Sequence, residues 1–234
     1  MRSDRNGNAH PYLIADIMQT LDAVSRPLDE CVEEIARVVF ASGTVIYPTE
    51  TTYVIGCDPF DSAAIDHLYG VKRRPDAKPL TFHVASVEEL LEYAGGNPFA
   101  TLAARRLLPA AVVLLVRRPQ FIDGEVTAGL PTLGLRVPHT PIATAILARC
   151  GPLAATSANI SGERAYRGIG DTNELPSADL LVSAGPTGSD AEPSIVDISG
   201  SHPLLIREGA VSAERLRETF GELHFVAPKI RGSQ

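Results

Sequence analysis

The chain has 234 residues, 44% of them hydrophobic, with 21 basic against 28 acidic side chains and a formal charge of −7. That size and apolar content support one sizeable core without requiring a second domain, and the acidic balance argues against a broad polyanion-binding surface. The three separated cysteines, Cys31, Cys57 and Cys150, argue against a disulfide framework or zinc knuckle and point to a reducing, cytoplasmic compartment.

Residues 1–12 carry basic side chains with no apolar stretch behind them, so they read as a disordered leader and not a signal peptide. The globular unit is expected over 13–222, with a tail over 223–234. Apolar residues at 28, 31, 32, 35, 38 and 39 have helical spacing, predicting a helix over 28–42 with Gly43 as its cap. A strand over 44–47 follows, stopped by Pro48, and a second is expected over 52–57. Asp61 is placed to cap the next helix, which buries Ile65, Leu68 and Tyr69 on one face and delivers Lys72 and Arg74 at its C-terminal end.

Strand 80–85 leads into Ser86 and Glu89, a capping-box pair that opens a helix to about 93. A helix over 98–108, ended by Pro109, precedes strands over 112–117 and 133–137, a helix over 141–149 and a strand over 153–156. The apolar run 110–116 is too short to span a bilayer. Strands over 180–183, 194–198 and 204–207 and a Ser212-capped helix complete the chain. Interleaved helices and strands predict an α/β fold, and the short gaps near the end imply a mixed sheet. The interval 162–176, with Gly168 and Gly170, reads as a loop placed to act as a lid.

The chemistry concentrates in three segments. Lys72, Arg73, Arg74 and Lys78 put four cations into seven residues before an apolar strand. A lone Lys-x-Arg at a helix end is ordinarily a solvated face that complements the helix dipole. Here Pro75 and Pro79 stiffen the loop, Arg74 offers a bidentate grip on phosphate, and Lys72 and Lys78 add point charges. A lone Ser-x-Asn such as Ser157-Ala158-Asn159 is ordinarily a turn, and Glu50 in Pro48-Thr49-Glu50-Thr51 serves equally well as a satisfied turn carboxylate.

Together these strings resemble the YrdC family of threonylcarbamoyl-AMP synthases: Lys72 and Arg74 stand at its Lys-x-Arg, Ser157 and Asn159 at its Ser-x-Asn, and Pro48 to Tyr53 at its P-T-E-T-x-Y turn. The resemblance implies a YrdC-like twisted mixed sheet flanked by helices, with a deep basic cleft at strand ends. It implies condensation of L-threonine, bicarbonate and ATP, with Mg2+ arriving on the nucleotide, to L-threonylcarbamoyl-AMP and pyrophosphate; the product then passes to a tRNA threonylcarbamoyl transfer complex. Lys72 and Arg74 would be catalytic. Arg74, Lys78, Asn159, Arg167 and Arg207 would bind ATP, while Thr49, Thr51, His83, Arg117, Ser157 and Ser194 would bind threonine. Arg117 and Arg207 also fit a reading as surface cations.

Four positions depart from the family strings: Val113 replaces a threonine, Val54 a glycine, Thr140 a histidine, and Pro193-Ser194 shifts a Ser-Thr pair. Some of these features are shared with the YciO branch. A divergent paralogue with a different or lost carbamoyl-adenylate activity therefore stays open beside the synthase, as does a nucleic-acid-binding module of this fold, although the net charge allows at most weak direct RNA binding. P-loop, nucleophile-elbow, H-E-x-x-H and G-x-G-x-x-G patterns are absent. The six histidines are scattered, so no protein metal ligands are expected, and no membrane association is predicted.

Overall fold

The computed structural model describes residues 18–73, 78–160, 162–168, 171, 174–188 and 191–225. Along the chain lie β1 (Gln19–Asp22), α1 (Leu28–Phe40), β2 (Val45–Pro48), β3 (Tyr53–Cys57), α2 (Ser62–Val71), β4 (Thr81–His83), α3 (Val87–Tyr93) and α4 (Pro98–Arg106). They are followed by β5 (Val112–Arg117), β6 (Thr132–Arg136), α5 (Pro141–Cys150), β7 (Leu153–Ser157), β8 (Leu180–Ser183), β9 (Ser194–Asp197), β10 (Leu204–Arg207), α6 (Ala213–Phe220) and β11 (His224–Phe225).

The strands form one mixed sheet in the order β1-β8-β2-β3-β7-β4-β6-β5-β9-β10-β11. Parallel pairs such as β4 with β6 alternate with antiparallel ones such as β3 with β7, as the interleaved pattern predicted. Local chemistry sets the helix starts. Asp61 accepts hydrogen bonds from the amides of Ala63 and Ala64, Ser86 from Glu89, and Ser212 from Arg215.

Three expectations are corrected. Helix α1 ends at Phe40, and the left-handed residue after it is Ser42, at φ 62°, not Gly43. Pro48 does not stop β2: it lies in the ladder opposite Tyr53 as the strand's last residue. Residues 224 and 225, assigned to a tail, instead pair as β11 with β10.

Helices cover the two faces of the sheet unequally. On one face α2, α3, α4 and α6 bury Leu68, Leu90, Ala103 and Leu216 against Ile55, Phe82, Leu114 and Val196. On the other, α1 and α5 pack Ile35, Val39 and Ile146 onto Val45, Tyr47, Leu153 and Val182, which covers the β1-β8-β2 end and the near part of β3 and β7. The rest of that face, over β4, β6, β5 and β9, is left for a cavity. Strands β2 and β3 are buried along their whole length, as covering on both faces requires.

An ion pair ties α2 to the sheet. His67 Nε2 lies 3.1 Å from Asp179 Oδ2, which also accepts from the Thr44 amide at 2.6 Å and hydroxyl at 2.9 Å. Burial raises the Asp179 carboxyl, but the His67 and Thr44 hydrogen bonds outweigh it and hold the group at about 2 against an ordinary 3.8. The same bond raises His67 above its ordinary 6.5, against the opposing effect of burial. Stability from Asp179 is therefore complete above pH 3.8 and is lost as pH falls toward 2. Stability from His67 is complete below pH 6.5 and is lost as pH rises through its folded value. Asp179→Ala is expected to cost about 2 kcal/mol at pH 5, read by urea unfolding, since charged hydrogen bonds contribute about 1.5–3 kcal/mol and this pair is partly solvated. A loss that does not shrink toward pH 2 would contradict this assignment.

Candidate active site

On the uncovered half-face, alternate residues of neighbouring strands point into one cavity of ≈ 410 Å³: Thr81 and His83 of β4, Gly134 and Arg136 of β6, Val113 and Leu115 of β5, Ala155 and Ser157 of β7. The residues between them on β4, β6 and β5, namely Phe82, Leu135 and Leu114, pack into the core beneath, as the period of two in a strand demands. The cleft thus lies over a sheet face and reaches strand ends at His83, Arg136, Ser157 and Arg207. Gly134 keeps its floor open: a Cβ there would come within 3.2 Å of both Thr81 Oγ1 and Val113 Cγ1.

One wall is built around Arg136, a charged residue in an otherwise apolar strand. Its side chain is 3% exposed, and Nη2 donates to Glu50 Oε1 at 2.6 Å, Thr51 Oγ1 at 2.9 Å and Thr49 Oγ1 at 3.3 Å. Its Nε is buried without a partner among the described residues. Burial pushes the Glu50 carboxyl up, but the charge and hydrogen bond of Arg136 outweigh this and hold it below the usual range. Beside them Tyr47 Oη and His83 Nδ1 share a hydrogen bond of 2.9 Å. Burial, and then the Arg136 charge, hold His83 well below its ordinary value, so its imidazole is neutral at pH 7.

The Ser-x-Asn segment closes the next wall. Ser157 Oγ donates to Asn159 Oδ1 at 2.6 Å, and Asn159 Nδ2 donates to the carbonyls of Ile160 and Glu163, each at 2.8 Å. Lys72, 1% exposed, comes from the C-terminal cap of α2; its ammonium donates to the Ser157 carbonyl and lies 3.4 Å from Asn159 Oδ1. The lid expected over 162–176 is, in its described part, joined to this wall: Tyr53 donates its amide to the Tyr166 carbonyl and Tyr166 its own to Ala158, both at 3.0 Å.

The far wall carries Arg207, which pairs with Glu192 and donates Nη2 to the Pro193 carbonyl at 2.9 Å. Gly209 allows this approach, because a Cβ would stand 2.2 Å from the Glu192 carbonyl oxygen. The pair is solvent-accessible, with side chains 41% and 53% exposed, so an incoming anion can take over Arg207 at small cost.

Of the residues singled out in sequence, Lys78, His83, Ser157 and Arg207 line the cavity. Thr49 and Thr51 stand behind Arg136, and Lys72 and Asn159 behind Ser157. Arg167 is not among the lining residues; its backbone bonds Asp171 and Thr187. Arg74 lies outside the described residues. Two assignments are corrected. Ser194 is fully buried, donates to the Val211 carbonyl and accepts from the amides of Gly209 and Val211; strand alternation sends Ile195 into the cavity in its place. Arg117 is exposed and donates Nε to the Ser199 carbonyl at 3.0 Å, which turns it away from the cavity.

Arg136 and Glu50 as a buried pair were missed. The available signal was an arginine before Val-Pro at the end of an apolar run, 133–137. Thr140, one of the departures, caps α5 by accepting from the Ala143 amide and donates to the Pro48 carbonyl. Cys57 is pushed up by burial, and Cys150 to about 11, so neither is an activated thiol.

The family model for Sua5, YciO and YrdC, described as telomere recombination, matches residues 38–209. The chain belongs to this family. The threonylcarbamoyl-AMP synthase of Bacillus subtilis (strain 168) is 30% identical over 84% of the chain, and that of Pyrococcus abyssi 30% over 80%. The chain spans 58% and 56% of the length of those two relatives. The structure of P. abyssi Sua5 complexed with L-threonine superposes with a TM-score of 0.83 and 26% identity, over 92% of this chain and 64% of that one. Among the described residues of this family member, no helix is long and apolar enough to cross a membrane.

Proposed function

We propose that the chain is an L-threonylcarbamoyladenylate synthase, joining L-threonine, bicarbonate and ATP into L-threonylcarbamoyl-AMP with release of pyrophosphate. The observation that carries this reading is the cavity itself, in which a buried guanidinium and the neutral histidine beside it stand across an apolar floor from Ser157, with Lys78 and Arg207 also among the lining residues. The names of the B. subtilis and P. abyssi relatives, and the threonine in the solved Sua5 complex, support it.

In this reading the threonine carboxylate meets Arg136, whose Nε is already desolvated and has no partner among the described residues, and its hydroxyl and amine find Ser157 and His83. The amine attacks bicarbonate with loss of water, or CO2 with loss of an amine proton, to give an N-carboxylate, an oxygen of which attacks the α-phosphate in line as pyrophosphate departs. Val113, Leu115 and Ile195 offer the base an apolar wall. Lys78 and Arg207 neutralise the phosphates, Arg207 by exchanging Glu192 for them. Among the described lining residues Glu192 is the sole carboxylate, so Mg2+ would be held chiefly by the phosphates and water, with Glu192 the group able to assist. When bound it supplies charge neutralisation on the departing pyrophosphate. The chain itself positions three small reactants and requires no covalent nucleophile. The product would pass to a transfer machinery that modifies tRNA.

Purified chain with ATP, Mg2+, L-threonine and bicarbonate is expected to release pyrophosphate, and omission of any one component should stop it. Full release without threonine, or none with everything present, removes this reading.

One observation favours a divergent paralogue as the second reading: Val113 and Val54 both put methyl groups into the cavity wall where the family strings carry a hydroxyl and a glycine. Val113 is paired with Ile195 and 6% exposed, so a threonine there would present its hydroxyl to the cavity. A missing neutral hydrogen bond costs about 0.5–1.5 kcal/mol. Val113→Thr is therefore expected to tighten ATP binding by roughly two- to tenfold in calorimetry. Unchanged or weaker binding would shift weight to the paralogue.

A further inference from the structure

We propose that His202, Glu222 and His224 form a binding site for a zinc-type divalent transition metal, remote from the cavity, that clips β11 to the β9–β10 turn. The topology assembles it. Strand β11 runs parallel to β10 with His224 opposite Leu204, and the His224 amide donates to the Pro203 carbonyl at 2.9 Å. This places His202, two residues before the ladder, beside the imidazole of His224, with ring centroids 5.1 Å apart at 54°.

Glu222 completes the group. The three residues offer ligand atoms all within 4.8 Å of one another, and His224 Nε2 lies 3.1 Å from Glu222 Oε1. Bonds of about 2.0–2.1 Å to a tetrahedral zinc put neighbouring ligand atoms roughly 3.3 Å apart, so Glu222 and His224 already stand at that separation. His202 is exposed and closes the remainder by side-chain rotation. A simple Glu222–His224 ion pair explains only two of the three groups.

The donor set selects the metal. Two imidazoles and one carboxylate suit zinc and its neighbours, whereas magnesium and calcium require mostly oxygen ligands. The Nδ1 of His202 lies 3.0 Å from Ser201 Oγ. With Nδ1–H donated to that oxygen, Nε2 keeps its lone pair for the metal, the usual outer-shell arrangement for a ligating histidine. All three side chains are exposed, which leaves the fourth position to water.

The consequence is local. β11 has two residues, both exposed, at the sheet edge, and such a strand opens readily on its own. His202 lies four residues from Ile206, the nearer of the β10 residues that line the cavity, roughly 13 Å along extended chain, so the metal touches no cavity residue and the test does not depend on synthesis.

The experiment titrates the full chain with ZnCl2 in calorimetry, with MgCl2 as control, and follows the exchange of the His224 amide by NMR. One zinc should bind per chain. At free zinc about 100 times the dissociation constant, exchange of that amide should slow about 100-fold, because opening β11 breaks the site. His202→Ala and His224→Ala should each weaken zinc by at least the roughly 10- to 100-fold that losing even an outer-shell partner costs, while the metal-free variants melt as the parent does. Absence of saturable binding overturns the proposal. So do zinc affinity unchanged in both variants, which would assign the metal to the cysteines or elsewhere, and equal binding of magnesium.

Discussion

Arg136→Ala is expected to destabilise the fold by about 3–5 kcal/mol, the cost of stranding one member of a buried ion pair, and to weaken L-threonine binding by roughly ten- to a hundredfold, the worth of a charge-assisted hydrogen bond. The large first figure follows from geometry. A guanidinium 3% exposed faces a carboxylate 14% exposed, and the same nitrogen also holds Thr49 and Thr51, so alanine leaves Glu50 charged, buried and without its main partner. Urea unfolding of Arg136→Ala, Glu50→Ala and the double variant separates the two effects. The double variant should recover part of the stability lost in Arg136→Ala, since the stranded charge is gone, yet recover none of the threonine affinity. If Arg136→Ala unfolds within about 1 kcal/mol of the parent and binds threonine normally, the guanidinium is a spectator.

Lys72→Met should lower turnover by about two to three decades, corresponding to roughly 2–4 kcal/mol of transition-state stabilisation, and stability by about 1.5–3 kcal/mol for the charged hydrogen bond lost, while the Ser157 carbonyl keeps the Asn159 amide and Asn159 Oδ1 the Ser157 hydroxyl. Methionine keeps the stem that fills the space behind Ser157 and removes only the ammonium. That ammonium is the group that joins the end of α2 to the Ser157 carbonyl and to Asn159. Its loss frees the cavity wall and removes a positive charge one residue behind it. Turnover within about tenfold of the parent in a folded Lys72→Met protein would reduce Lys72 to a helix-end tie.

Much of the local structure was legible because it depends on neighbours in the chain. Asp61, Ser86 and Ser212 cap their helices as their spacing implied, since a cap needs only its own side chain and an amide two or three residues on. Strands β5 and β10 match the predicted bounds. The edge strands β1 and β11 were not legible: Gln19–Asp22 has little apolar character and pairs with a partner far along the chain at Leu180–Ser183. Four or two residues that owe their conformation to such pairing leave no local period to read.

In the site, the identity of four lining residues was legible, whereas Arg136 and the direction of the side chains were not. Ser157 and His83 came from strings, as did Lys78 and Arg207, and all four line one cavity. Ser194 came from the same kind of string yet points the other way, because a strand's faces alternate and only the register with β5 decides which one is buried. Arg117 shows the same limit: it ends the strand whose Val113 and Leu115 reach the cavity, and the Ser199 carbonyl turns it aside.

By itself the sequence determined the family strings, the helix caps, the α/β alternation and the chemistry available: cations, hydroxyls and an amide, with no activated thiol motif. Only the tertiary structure decided which of these groups meet. Helices α1 and α5 cover one part of a sheet face and leave the rest as a cavity. Glu50 finds Arg136 across 86 residues of chain, and His202 finds His224 through the pairing of β10 with β11. Such meetings are set by strand order and register, which arise from the packing of the whole sheet and are not encoded in any one segment of the chain.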